Sequence, residues 1–287
     1  MPLKYVGRTL GLLLVAGILS GCSKSKSDKG TEKTDAKVPL QATSFKQNSA
    51  NAKVGAVSRF QQPFRDAVIT DPPPDGELLP PEKTIAGKSV GKMYEAIVGH
   101  NGVGGLWDKI PLTTPDGKLI HYTAQLLTDL GSITIELWPD VAPNHVRNFI
   151  ALAKVGYYNG LGFDLAVHQK VEGPGATYVD YLEGGCPLGT GEPGYGSIGY
   201  WLKPEFSDSV RHEAGTVGAC HGESLESAST KFYITLGPAP GLDKYWTVFG
   251  KVTHGLDVAR AIFQRPVDED FCPKDRVLIR EVTIQEQ

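Results

Sequence analysis

The chain has 287 residues, 40% of them hydrophobic, which is enough for one core of ordinary domain size with length left over but not for two large ones. Its 29 basic and 32 acidic residues give a formal net charge of -3, so no electrostatic footprint for nucleic acid is present and neither DNA nor RNA is expected as a partner. The 34 glycines and 20 prolines favour turns and short strands over a helical bundle, and the expected class is mainly β.

Residues 1–21 read as an export signal and stand outside the fold. Lys4 and Arg8 give the positive start, and Leu10 to Leu19 form an apolar run too short to span a bilayer. The following Leu19-Ser20-Gly21-Cys22 resembles the bacterial lipobox, in which cleavage precedes the cysteine and the thiol carries the lipid. That resemblance implies a membrane partner reached through a lipid anchor on Cys22, stable because more than one acyl chain is attached. It places the protein in the bacterial cell envelope, facing the periplasm or the exterior. Residues 22–56, rich in Ser, Lys, Thr and Asp, cannot offset the entropy of ordering and read as a disordered tether.

Residues 57–119 read as an extended Pro-rich arm. Asp71-Pro72-Pro73-Pro74 and Leu79-Pro80-Pro81 enforce extended backbone, while Val90 to Val98 reads as a short helix. Trp107, Ile110 and Leu112 are expected to pack the arm against the domain that follows. From Tyr122 the pattern turns regular: Tyr122-Thr123-Ala124-Gln125-Leu126 and Ile133-Thr134-Ile135-Glu136-Leu137 alternate on either side of a turn at Asp129-Leu130-Gly131. Pro143 suits a first helical position, and Val146, Phe149, Ile150 and Ala153 recur at helical spacing until Gly156. A second short helix is expected at Asp257 to Phe263. The rest reads as short strands among glycine turns, a pattern that suits a closed antiparallel barrel with helical caps.

Gly131-Ser132-Ile133-Thr134-Ile135-Glu136-Leu137, Ala142-Pro143, Asn148-Phe149, Gly156-Tyr157-Tyr158-Asn159-Gly160 and Phe163 stand in the order of the opening half of a cyclophilin. Gly184-Gly185, Pro187-Leu188-Gly189-Thr190-Gly191, Lys203-Pro204-Glu205-Phe206, Gly215-Thr216-Val217, Lys231-Phe232-Tyr233-Ile234-Thr235, Leu242-Asp243 and Val248-Phe249-Gly250-Lys251-Val252 continue it. Residues 120–287 thus resemble the cyclophilin-type peptidyl-prolyl isomerases. The resemblance implies a closed barrel of eight antiparallel strands capped by two helices, with a shallow groove for proline-containing peptides. It implies no cofactor and no metal.

The family's site is carried over only in part. Phe163 keeps its place, but Leu165 stands where the resemblance puts the arginine that serves the twisted amide. A rival register at Val167-His168-Gln169 also lacks arginine, and Lys170 is the nearest cation in sequence. Counting back from Gly184-Gly185 puts Glu183 at a glutamine position, with Asp180 and Tyr181 at the positions of the apolar seat. Tyr233 replaces a ring-packing Phe, Cys220 takes a small-residue place, Leu242 lies on the rim and Trp246 falls at a histidine position. The stretch around Glu172-Gly173-Pro174-Gly175 is longer than the family's. Trp246 is open to two readings, stacking on a bound proline or filling volume beside Gly241.

Cys186, Cys220 and Cys272 are an odd set, so at most one internal bridge can form. Two thiols beside His221 could bind zinc, but no ligand spacing supports it, and a disulfide or separate buried thiols is the simpler expectation. His145, on the first helix, is expected to face solvent. Two functions stay open: an isomerase acting on exported proteins at a rate reduced by Leu165, and a non-catalytic proline-peptide-binding or scaffolding module. A monomer is expected in either case.

Overall fold

The computed structural model describes residues 59–171, 177–192 and 194–287. The expected signal (1–21), the lipidation site Cys22, the tether (22–56) and the insert at 172–175 lie outside the described residues.

The arm, from residue 59 on, is part of the folded body. Helix α1 (Phe64–Ala67) leads into strand β1 (Val68–Ile69), and α2 (Val90–Val98) occupies the helix read from sequence, with the Ser89 hydroxyl accepting from the Lys92 N–H. The short strands β2 (Gly99–His100) and β3 (Val103–Gly104) form a two-stranded ladder. Phe64, Ile97, Trp107, Ile110 and Leu112 are all buried in the main core. The arm is held as much by cations as by packing. Arg147 donates to the carbonyls of Phe60, Gln62 and Ile110, and Arg59 donates to those of Asp140 (2.8 Å) and Val141 (3.1 Å). Lys88 donates to the carbonyls of Gly156 and Asn159.

The expected hairpin is β4 (Tyr122–Thr128) and β5 (Gly131–Leu137), whose inward residues Ala124, Leu126, Ile133 and Ile135 are fully buried. Helix α3 (Pro143–Lys154) follows, with proline at its start. Its N-terminal N–H groups are capped from a distance: the Glu205 carboxylate accepts from the backbone of Asn144 and His145 at 3.0 Å, where the helix dipole favours a negative charge. Strands β6 (Phe163–Val171) and β7 (Thr177–Gly184) form a long antiparallel pair. The short β8 (Trp201–Leu202) pairs with β1, and the family segment Lys203 to Phe206 lies outside any strand. Then come β9 (Thr216–Ala219), β10 (Phe232–Thr235), β11 (Val248–His254), α4 (Leu256–Phe263) and β12 (Ile279–Glu286).

Eight strands form one antiparallel sheet in the order β12-β4-β5-β11-β9-β10-β7-β6. It curls around the core, with α3 packed on β11 and β12 and α4 on β5, β6 and β7. The expected closed barrel is corrected here to an open, curled sheet whose edges are β12 and β6. They meet at one bridge, Gly162 to Leu278, with Gly160 N–H donating to Ile279 O and Ile279 N–H to Leu161 O, both at 2.7 Å. Beyond that point β12 leaves to pair with β4. The free edge of β6 is taken instead by a turn, Ala166 N–H donating to Phe271 O at 3.0 Å.

Candidate peptide-binding site

The outer face of β6, β7 and β10 carries a second apolar cluster, separate from the main core: Leu165, Val167, Val179, Tyr181, Cys220, Tyr233, Ala239, Leu242 and Trp246, with Phe271 and Cys272 packed against it. Strand alternation assembles it, since residues two apart point to one face. A bulge decides its membership on β6. Phe163 pairs with Gly184 and Leu165 with Glu183, so Asp164 is the extra residue.

The bulge corrects one expected groove residue. Phe163 points into the main core, edge-on to Phe232 with centroids 6.3 Å apart, and takes no part in the outer cluster. Of the other positions named from sequence, all but Asp180 converge. Glu183 is the cross-strand partner of both Leu165 and Tyr233, and Tyr233 in turn faces Gly218 on β9. Tyr233 lies so close over Gly218 that a Cβ there would stand 2.1 Å from its hydroxyl, so any larger residue would force the ring to shift. Trp246 meets Tyr233 edge-on at 5.8 Å and stacks on His221 at 4.0 Å, so it is a packed wall of the cluster. Asp180 falls on the opposite face of β7 and pairs with His168, outside the seat assigned to it.

Leu165 is 8% exposed and lies against Gly191, where a Cβ would come within 2.7 Å of its side chain. Across that turn Cys272 sulfur lies 3.6 Å from Thr190 O. The cation of the site is not Lys170, which is exposed far along the β6–β7 pair. It is Lys231, whose Nζ lies 2.5 Å from Glu183 Oε1 with both side chains largely buried. Burial alone would push the Lys231 ammonium down, but the Glu183 carboxylate beside it holds it above the ordinary lysine value. Sequence reasoning missed Lys231, which opens the segment Lys231-Phe232-Tyr233-Ile234-Thr235 but was given no role in it.

Beside this pair, Asp164 accepts from the Cys186 N–H at 2.8 Å. Burial, with Glu183 nearby, pushes its carboxyl up to about 8. The thiols of Cys186 and Cys220 are buried and free, and burial first, then neighbouring carboxylates, raises both above the ordinary range, so neither is an activated nucleophile. Among the described residues no group of three His, Cys, Asp or Glu is placed to hold a metal ion. No described helix is long and apolar enough to cross a membrane. His145, expected at the surface, is buried with Nδ1 2.8 Å from Glu205 Oε2, on a side of α3 that faces Ala219, Ser229 and Phe249.

The sequence profile described as "Cyclophilin type peptidyl-prolyl cis-trans isomerase/CLD" matches residues 123–284. "Peptidyl-prolyl cis-trans isomerase-like 3" of Gallus gallus is 35% identical over 160 residues, 55% of this chain and 93% of the relative. "Peptidyl-prolyl cis-trans isomerase B" of Bacillus subtilis is 40% identical over 136 residues, 47% of this chain and 85% of the relative. "Peptidyl-prolyl cis-trans isomerase-like 2" of Rhizopus delemar is 34% identical over 159 residues; the match takes in 55% of this chain but 28% of that longer protein.

Proposed function

Because this chain belongs to the cyclophilin-type peptidyl-prolyl cis-trans isomerase family, we propose that it binds proline-containing segments of exported proteins on the outer cluster and turns their prolyl bonds at a reduced rate. Rotation about an amide must overcome a barrier of roughly 18–20 kcal/mol set by resonance. No covalent bond need form, so the rate comes from holding the twisted amide better than either planar isomer. Tyr181, Tyr233, Leu242 and Trp246 offer an apolar seat for a proline ring. Lys231, paired with Glu183, is a cationic donor beside it.

The observation that carries the reduced rate is Leu165, an apolar side chain packed on Gly191 at the position where the family resemblance expects a guanidinium. If that donor resembled other transition-state donors, its loss would cost about 2.7–4 kcal/mol, or about 10²–10³ in rate. The test is the prolyl isomerisation rate of the full chain beside that of a Leu165→Arg variant. A slow wild type and a faster variant are expected, since Glu183 across the strand pair could align the new guanidinium. Wild-type turnover at the level of an arginine-bearing cyclophilin would overturn the reading.

The second reading, a non-catalytic proline-peptide binder or scaffold, is favoured by the same packing of Leu165. Peptide binding without measurable isomerisation would select it. The envelope setting rests on Lys4, Arg8, the apolar run and Leu19-Ser20-Gly21-Cys22. Labelled palmitate should enter the wild type and not Cys22→Ser. In this reading the protein works as a monomer without a cofactor.

A further inference from the structure

Two groups outside the expected site, Asp243 and His212, form one hydrogen-bonded line with Tyr233 of the cluster. Asp243 Oδ1 accepts from the backbone N–H of His212 at 2.8 Å and lies 2.8 Å from its ring Nδ1. The other ring nitrogen, Nε2, lies 2.8 Å from the hydroxyl of Tyr233, and the two rings are nearly parallel at 6.0 Å. Tyr233 is the middle of the outer cluster, touching Tyr181 and Trp246 with its edges. Asp243 directly follows Leu242, so the line joins the loop carrying the rim to the strand carrying the wall.

The chemistry of the line fixes its protons. A carboxylate only accepts, so Nδ1 bears the hydrogen that faces Asp243. A neutral imidazole then has a bare Nε2, which takes the hydrogen of Tyr233. The His212 ring is buried, and burial lowers its affinity for a second proton despite Asp243. Tyr233 is held as the protonated phenol by burial, with Cys220 and Asp243 adding to the effect. Two charged groups flank the line: Arg211, whose Nε lies 3.6 Å from Asp243 Oδ2, and Glu183, the cross-strand partner of Tyr233.

We propose that His212 and Asp243 are positioning residues of the peptide-binding face, Asp243 setting the ring as its Nδ1–H form so that His212 locks the Tyr233 ring against Gly218. The inference rests on the reading of the outer cluster as a proline-peptide site. A phenylalanine at 233 would fill the same volume with no such lock, so the tyrosine hydroxyl has a task apart from packing.

The test has two arms, both on the full chain. Nitrogen-15 spectra of the histidine rings should show His212 as Nδ1–H with a bare, hydrogen-bonded Nε2, and Tyr233→Phe should shift that Nε2 signal alone. Affinity for an Ala-Pro-containing peptide should fall about 2- to 13-fold in Tyr233→Phe, the range for one ordinary hydrogen bond. His212→Leu should fall equally, and the double variant no further. His212→Gln, whose side-chain oxygen can still accept from Tyr233, should recover part of the loss, and Asp243→Asn serves if the leucine variant fails to fold. Additive losses, or an Nε2–H ring in a wild type that binds peptide, would overturn the inference alone. A wild type that binds no prolyl peptide while keeping the Nδ1–H form would overturn the site reading and reduce the line to a structural brace.

Discussion

Replacing Lys231 with methionine removes one partner of a buried ion pair and keeps most of the side-chain volume. The pair is close, 2.5 Å, and the two side chains are 13% and 9% exposed, so little solvent remains to take over when one is lost. Stranding a buried charge in this way costs about 3–5 kcal/mol, whereas replacing both partners by neutral side chains is often neutral or stabilising. Lys231→Met should therefore destabilise by about that amount, and the double variant Lys231→Met/Glu183→Gln should return to within about 1 kcal/mol of wild type. For a chain with a folded part of this size the single variant should melt about 6–20 °C lower. Urea unfolding of the four members of the cycle measures all of this. A single variant within about 1 kcal/mol of wild type, at unchanged denaturant slope, would show a solvated pair and refute the argument.

Asp164→Asn should leave stability at neutral pH unchanged or improved, because a carboxyl raised to about 8 is largely protonated there and asparagine can still accept from Cys186. The raised value also sets a sign: wild-type stability from this group is present at acid pH and is lost as pH rises from the ordinary carboxylate range towards 8, and Asp164→Asn should abolish that slope in chemical unfolding. His212 acts oppositely. Its folded value is lowered, so its contribution is full above the unfolded value near 6.5 and is lost as pH falls below it, a fall that His212→Gln should remove. Gly218→Ala should push Tyr233 off its strand, costing about 1–3 kcal/mol by overpacking and weakening peptide binding in the same variant, as read by unfolding and by titration.

Where local pattern governs, sequence and structure agree: the β4–β5 hairpin, α3 and α4 follow from alternation, helical spacing and a proline start. Much of the outer cluster was also readable: Glu183 and Tyr181 by counting back from Gly184-Gly185, and Tyr233, Cys220, Leu242 and Trp246 by family position, which the structure brings to one face. What escaped was non-local. The bulge at Asp164 reverses which way Phe163 and Leu165 point, and no residue type at that place announces it. The closed barrel failed because a turn near Phe271 competes for the β6 edge. His145 reads as a polar surface residue until Glu205, 60 residues on, is seen to close over the start of α3. His212 sits in an aperiodic loop, 21 and 31 residues from the two side chains it joins.

The capture of the arm's carbonyls by Arg59, Arg147 and Lys88 gives the molecule a defined path for mechanical load. A pull on residue 59 is met first by the bonds of Arg59 to the turn before α3, then by Arg147 gripping Phe60, Gln62 and Ile110 from within that helix. Those bonds lie along a route that must be peeled before tension arrives at Tyr122 and the first strand of the sheet. Strain entering from the N-terminal side is thus absorbed on the α3 face, while the tyrosine wall on the far strands keeps its shape.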